Sequence, residues 1–250
     1  MLIKFRGQKR RMLAMNEELT RMIEPEIQKI KVFQRIAAIF LSPGELMKNV
    51  KSYPIIGVPI ALCIVLNVLF IPINLQLTEL MGLAGQMPID EYGDTFQGIA
   101  EITLIVTAIG QALVGPLFIG ALAAVILWVL SKIVGGKASF SQILSMSMHI
   151  LVLSYVGSLI SGSLMVSTGS LTDMTSLAAL IMPHGDMSMP MFNLLSSISV
   201  FSVWATILTF LGIKIINDLS GVRAGVITCI YFAGNIAVSV ILLALASLML

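Results

Sequence analysis

A methionine-rich segment holds the side chains best suited to bind a metal ion. The stretch "MPHGDMSMPM" brings together five thioether or imidazole groups: Met182, His184, Met187, Met189 and Met191. Such ligands suit Cu(I). The chain contains 16 Met, however, and many of them lie in apolar runs, so ordinary interfacial packing is the alternative that we expect. The sequence therefore predicts no bound metal and no cofactor.

Two other polar features lie inside apolar runs. His149 is a candidate for function because an ionisable group is costly within a membrane. The alternative, which we expect, is a neutral imidazole that bonds to a neighbouring helix. Ser161 and Ser163 flank a glycine, but the run around them holds no Lys or Asp that would activate a serine.

Motifs of known enzymes are missing from the sequence. It contains no H-E-x-x-H, no G-x-S-x-G and no glycine-rich phosphate loop with its lysine. Cys63 and Cys229 lie in apolar runs without a partner at the spacing of a zinc site or a disulfide. We therefore expect a protein that is not an enzyme.

The elements that position these groups are long apolar runs. Hydrophobic residues make up 57% of the chain and charged residues only 11%, too few to cover a soluble core of this size. Five runs lack Asp, Glu, Lys and Arg, and each is long enough to cross a bilayer as a helix. They are Ile55–Leu75, Ile102–Leu130, Ile143–Val166, Phe192–Ile213 and Val226–Leu250. We predict an all-α, polytopic membrane bundle with five transmembrane helices; a re-entrant hairpin is the alternative for the first run.

Charge is segregated between the loops. All 15 Lys and Arg residues lie in segments 1–54, 131–142 and 214–225, whereas loops 76–101 and 167–191 have none. Because basic residues near the ends of spans stay in the cytoplasm, we expect a cytoplasmic N-terminus and a C-terminus outside.

An amphipathic helix precedes the first run. The apolar residues within residues 25–41 recur at three- and four-residue steps: Ile27, Ile30, Phe33, Ile36 or Ala37, and Phe40. The stripe predicts a helix on the cytoplasmic membrane surface, or one that packs on the protein's own helices. The basic residues near the N-terminus suit anionic lipid better than nucleic acid, because no aromatic platform accompanies them. We divide the chain into a cytoplasmic segment, residues 1–50, and a transmembrane domain, residues 51–250.

Three stretches resemble the Yip family of five-helix integral membrane proteins, named for interaction with Ypt/Rab GTPases. They are "IFLSPGELMKNVKSYP", "GGKASFSQIL" and "WATILTFLGIKIINDLSGVRA". The resemblance extends from about residue 36 to the end, and it implies five spans and a cytosolic N-terminus. The D-L-Y-G-P motif of eukaryotic members is absent, so the chain is more similar to prokaryotic members, some of which resemble accessory subunits encoded with ABC exporters. No Rab-binding role is carried over.

The resemblance also singles out residues with a structural role. The matching positions are Ser42, Pro43, Gly135, Gly136, Lys137, Phe140, Trp204, Gly212, Ser220 and Arg223. We name the basic segments 131–142 and 214–225 the two basic bridges. The residues themselves indicate why the chain turns sharply in the bridge at 131–142. Gly135 and Gly136 permit backbone conformations closed to other residues and so end a helix, and Ser139 can cap the next one.

We therefore predict a protein of a prokaryotic cell membrane that acts through partners, as a scaffold or an accessory subunit. Membrane lipids, other membrane proteins, an ABC transporter or a second copy are the partners considered. The alternative is a transporter of small solutes or metal ions. Convergence of Asn67, Gln111, His149 and Asn235 on one cavity would favour the transporter.

Overall fold

The computed structural model describes residues 30–80, 93–181 and 189–249. Within these residues the secondary structure consists of α-helices, joined by short turns and one isolated β-bridge between Ser176 and Ser199. The helices are α1 (Val32–Leu41), α2 (Pro43–Ser52), α3 (Gly57–Leu80), α4 (Gly93–Ile133), α5 (Phe140–Thr168), α6 (Leu177–Ile181), α7 (Met189–Ser196), α8 (Val200–Asn217) and α9 (Gly221–Met249).

Five of these helices are long and apolar enough to cross a membrane: α3, α4, α5, α8 and α9. The predicted all-α bundle with five spans is therefore confirmed. The first run forms one continuous helix, with Pro72 inside it, and not a re-entrant hairpin. The second and third runs likewise lie within single helices, α4 and α5, and the fifth run lies within α9 as far as Met249, the last described residue.

The fourth span begins later than the sequence predicts. The apolar run starts at Phe192, but α8 starts at Val200, and residues 192–196 belong to the separate helix α7. Ser199 caps α8, because its side chain accepts a hydrogen bond from the Ser202 backbone N–H at 3.2 Å. Apolarity continues through this break, so hydropathy alone does not reveal where the helix starts.

Helix α5 occupies the centre of the bundle. It packs against α3, α4 and α8, and half of its most apolar window is buried. Small residues permit the close approach: a β-carbon at Gly157 would lie 2.6 Å from the Phe201 ring, and one at Gly162 would lie 2.7 Å from Phe70. Gly221 and Gly225, which are spaced like a helix-contact motif, do not act in this way, because neither glycine has a neighbour that close.

Helices α1 and α2 also pack on the bundle. Ser42 separates them, and Pro43 occupies the first turn of α2, where its missing N–H costs nothing. Met47 of α2 is fully buried against Gly212 of α8. The boundary predicted at residue 50 lies within α2, and residues 25–29 of the predicted amphipathic helix lie outside the described residues.

Candidate functional site

Five cations gather where the helices α2, α4, α8 and α9 begin or end, and we name this part of the molecule the basic end. It is formed by Lys51, Lys132, Lys137, Lys214 and Arg223. In the part of the chain that the structure describes, the loops at the opposite end carry the acidic residue Asp173 and no Lys or Arg. The segregation of charge found in the sequence is thus also a segregation in space.

The turn after α4 needs both of its glycines. Gly135 has a φ of 85°, in the left-handed region where a side chain is strained. The Gly136 N–H donates to the Ser131 carbonyl at 2.8 Å, and this bond closes the end of the helix. A β-carbon on Gly136 would lie 2.5 Å from Asn217 Oδ1, so the second glycine is required for space.

Asn217 joins the two basic bridges. Its Oδ1 accepts a hydrogen bond from the Ala138 N–H at 3.2 Å, and its backbone carbonyl accepts one from the Lys137 N–H at 3.4 Å. Its Nδ2 donates to the Ile213 carbonyl at 3.2 Å. The side chain is fully buried, so these bonds satisfy polar groups that water does not reach.

The end of α2 is attached to the same place. Lys51 Nζ and Asp218 Oδ1 form an ion pair at 2.5 Å, and Gln142 Nε2 donates to the Lys51 carbonyl at 2.6 Å. Asp218 itself adopts a left-handed conformation, with a φ of 56°, and ends α8. Three chain segments that are far apart in sequence therefore meet at the basic end.

The start of α5 is fixed by a capping box and an aromatic pair. Ser139 Oγ accepts from the Gln142 N–H at 3.3 Å, so the predicted cap is confirmed. Phe140 meets Trp128 edge to face, with the ring centroids 6.1 Å apart. Lys132 Nζ lies 5.8 Å from the Trp128 ring centroid and donates to the Gly136 carbonyl at 3.2 Å. Lys132 thus belongs to the turn, although its side chain, like that of Lys137, is exposed.

The positions in and next to α8 and α9 that match the Yip family pattern hold the helices together. Trp204 Nε1 donates to the Ile39 carbonyl at 3.0 Å, which ties α1 to the second turn of α8. A β-carbon at Gly212 would collide with Met146 Sδ. The Ser220 carbonyl accepts from the Ala224 N–H at 3.0 Å in the first turn of α9, and Arg223 Nη1 donates to the Val134 carbonyl at 3.5 Å.

Helix α1 has its apolar stripe on the outside and its cation on the inside. Phe33 is 85% exposed and Leu41 is 83% exposed, whereas Arg35 is 2% exposed. The Arg35 guanidinium donates to Asn49 Oδ1 and, at 3.0 Å, to the Tyr53 carbonyl. Burial lowers the pKa of Arg35, although a guanidinium stays protonated at any physiological pH. Of the two predicted arrangements, the exposed stripe favours contact with lipid.

His149 is buried and bonds within its own helix. Its Nδ1 lies 2.7 Å from the Ser145 carbonyl, one turn earlier in α5, and not on a neighbouring helix as expected. His149 and Arg35 line one enclosed space of about 10 Å³, room for about one water molecule.

The four intramembrane polar residues do not converge. Asn67 and Gln111 line one cavity of about 260 Å³, and Asn235 lines a different cavity of about 260 Å³. His149 lines the small third space. Each of Asn67 and Asn235 donates to a carbonyl in its own helix.

The structure does not describe most of the methionine-rich segment. Met182, His184 and Met187 lie outside the described residues, and Met191 is exposed at the start of α7. Among the residues that are described, no group of three His, Cys, Asp or Glu side chains could hold a metal ion.

Sequence reasoning did not identify Asn217, Asp218 or Arg35. Asn and Asp tolerate the left-handed conformation that ends many helices, so "IINDLSG" carries a signal for the end of α8. No local pattern connects Asn217 with Ala138 or Arg35 with Asn49, since these contacts depend on how the helices pack.

Comparison with known proteins agrees with this architecture. The family model described as "Yip1 domain" matches residues 37–246. The "Membrane protein YknW" of Bacillus subtilis (strain 168) is 23% identical to this chain over 205 residues, which cover 80% of this chain and 85% of that protein. No solved structure matches the chain. The basic bridge, the α2 start and the end of α8 all lie inside the matched region, and the chain belongs to the Yip family of integral membrane proteins, as a prokaryotic-like member.

Proposed function

We propose that this protein is a non-enzymatic scaffold or accessory subunit that binds a partner protein at its basic end. The observation that carries the proposal is that Asn67, His149 and Asn235 line separate spaces. A transporter needs a polar route between the two sides of the membrane, and carboxylates or cations within the spans are the usual means of coupling to ions. The described spans contain no such carboxylate at their centre.

The basic end supplies a surface of fixed shape. Lys51 is paired with Asp218 and Lys132 with its own turn, whereas Lys137 and Lys214 are exposed. Asn217 holds the backbone beneath Lys137 in place. Exposed cations on a rigid turn favour an acidic segment of a partner, because complementary charge raises the rate and specificity of association.

Membrane orientation follows the same charge. We infer that the basic end and the N-terminus lie in the cytoplasm and that the C-terminus lies outside, since all Lys and Arg residues are in the segments on that side. Segment 1–50 would then lie at the inner surface, with the exposed face of α1 against lipid. An ABC exporter, trafficking or membrane-organising machinery, or a second copy of the chain are the candidate partners.

Photo-crosslinking from within the basic end tests the proposal. A benzophenone amino acid in place of Lys137 should give a discrete protein adduct in native membranes. Phe118, which is 67% exposed on the side of α4, is the matched control. At this position we expect crosslinks to lipid and no discrete protein adduct. The charge-reversing substitutions Lys214→Glu and Arg223→Glu should remove the adduct, because both replace attraction to an acidic partner segment by repulsion.

The outcome can contradict the proposal in two ways. The same adduct at Lys137 and Phe118, or an adduct at Lys137 that survives both charge reversals, would mean that the basic end does not select a partner. The amount of full-length protein in the membrane, measured in each variant, separates lost binding from lost folding.

A further inference from the structure

A hydroxyl-lined cleft runs between α5, α8 and α9. It has a volume of about 260 Å³, and most of its lining residues are polar although the helices around it are apolar. Its polar lining includes Ser154, Thr206, Thr209, Thr228, Asn235 and Ser239.

The hydroxyl hydrogens of the serines and threonines in this lining are already donated to backbone carbonyls. Thr206 Oγ1 donates to the Ser202 carbonyl at 2.8 Å, and Thr209 Oγ1 donates to the Ala205 carbonyl at 2.8 Å. Thr228 Oγ1 and Ser239 Oγ likewise donate to the carbonyl one turn earlier in α9. Each hydroxyl oxygen therefore keeps lone pairs that can accept a hydrogen bond. The cleft is a set of neutral acceptors.

A smaller chamber adjoins the cleft at its inner end. It has a volume of about 80 Å³ and shares Ser154, Thr209 and Tyr231 with the cleft. Ser147 lines it, is 5% exposed, and has no hydrogen-bond partner for its Oγ among the described residues. A buried hydroxyl without a partner costs about 1–3 kcal/mol, so a bound molecule that satisfies it is favoured.

The cleft extends toward the end of the molecule opposite the basic end. Ser197, just before α8, and Ser239, late in α9, lie at its outer part. Thr209 lies about 15 Å further along α8, at 1.5 Å per residue. The polar lining therefore extends from this end of the molecule deep into the helix bundle.

The absence of charged lining residues indicates which class of molecule could bind in these two spaces. No Asp, Glu, Lys, Arg or His lines either space. A charged solute would lose its water without gaining a counter-ion, which is a large cost inside a membrane protein. A neutral solute with several hydrogen-bond donors matches the acceptors and can also accept from Ser147.

We propose that this cleft binds a small uncharged solute rich in hydrogen-bond donors, a polyol or a primary amide. The site needs no partner at the basic end, so it goes beyond the scaffold role and can fail or succeed independently of it.

Protection from a thiol reagent tests the site in the full-length protein. Cys63 and Cys229 are first replaced by Ala, and a single Thr209→Cys variant is reconstituted in liposomes. N-ethylmaleimide, which is small and uncharged, should modify this cysteine from the aqueous phase. Glycerol or urea should slow the reaction along a saturating curve, because occupied sites do not react. Ile207→Cys, 39% exposed on the same helix but not in the cleft lining, is the matched control and should show no saturable protection.

A second variant separates the cleft from general effects of the solute. Thr228→Val keeps the shape of the side chain but removes one acceptor, so it should shift the protection curve of Thr209→Cys to higher glycerol or urea concentration. No reaction at Thr209→Cys would show that the cleft is dry. Protection that never saturates, or that is equal at Ile207→Cys, would show that no site exists. Each of these three results overturns the proposal.

Discussion

The Asn217 side-chain oxygen lies 2.5 Å from the position that a β-carbon on Gly136 would occupy. This contact joins the turn after α4 to the end of α8. The same oxygen accepts a hydrogen bond from the Ala138 N–H. A side chain at position 136 would therefore displace Asn217 and break this hydrogen bond. The shape of the basic end follows from this one close approach.

Replacing Gly136 by Ala should destabilise the bundle. The added methyl group would contact both Asn217 and the Ser131 carbonyl, which lies 2.8 Å from its position, and the backbone carbonyl cannot move aside without opening the turn. Overpacking of this kind costs about 1–3 kcal/mol. Thermal unfolding of the detergent-solubilised protein should show a lower midpoint.

The matched control for this change is Gly44→Ala on α2. Gly44 has no atom within 4 Å of its β-carbon position and no positive φ, so Ala should be neutral or slightly stabilising. Equal losses at both positions would mean that the turn is not the constrained site.

Several parts of this architecture could be predicted from sequence, for identifiable reasons. Uncharged runs mark spans because a bilayer excludes charge over a fixed thickness. Ser139 and Gln142 have the spacing of a capping box, so the start of α5 could be placed closely. The start of α8 could not, because Ser199 pairs with Ser202, a pattern without the usual Glu or Gln.

Contacts between distant segments could not be predicted from local sequence patterns. Arg35 lies between the apolar positions of the stripe in the sequence, and only the packing of α1 on α2 shows that this cation points inward. The same holds for Asn217, which is 79 residues from its partner Ala138. The hydroxyl-lined cleft was missed because Ser and Thr residues scattered over three helices give no spacing signal.

The Lys51–Asp218 ion pair should contribute little to stability. Its side chains are 35% and 50% exposed, so water and salt screen the attraction. A double-mutant cycle of Lys51→Ala and Asp218→Asn should give a coupling of about 0.2–1 kcal/mol that falls further at high salt. A larger coupling that does not depend on salt would show that the ion pair, and not the hydrogen bond from Gln142 to the Lys51 carbonyl, holds α2 at the basic end.

The exposed face of α1 should lie in lipid. An environment-sensitive fluorophore on Phe33→Cys, in a chain without its other cysteines, should shift its emission to the blue when the protein moves from lipid-free amphipathic polymer into liposomes. The same fluorophore on Lys48→Cys, on the exposed polar face of α2, should shift less. Identical shifts at both positions would contradict an apolar face that is buried in the bilayer.

The sidedness of the basic end tests the central claim most directly, because the proposed partner must meet Lys137 in the cytoplasm. Single cysteines are placed at Ser139, which is exposed at the basic end, and at Leu171, which is 49% exposed at the opposite end, in a chain without Cys63 and Cys229. An impermeant thiol reagent added to intact cells should modify Leu171→Cys and leave Ser139→Cys unreacted until the membrane is permeabilised. Modification of Ser139→Cys in intact cells, with Leu171→Cys protected, would contradict the account.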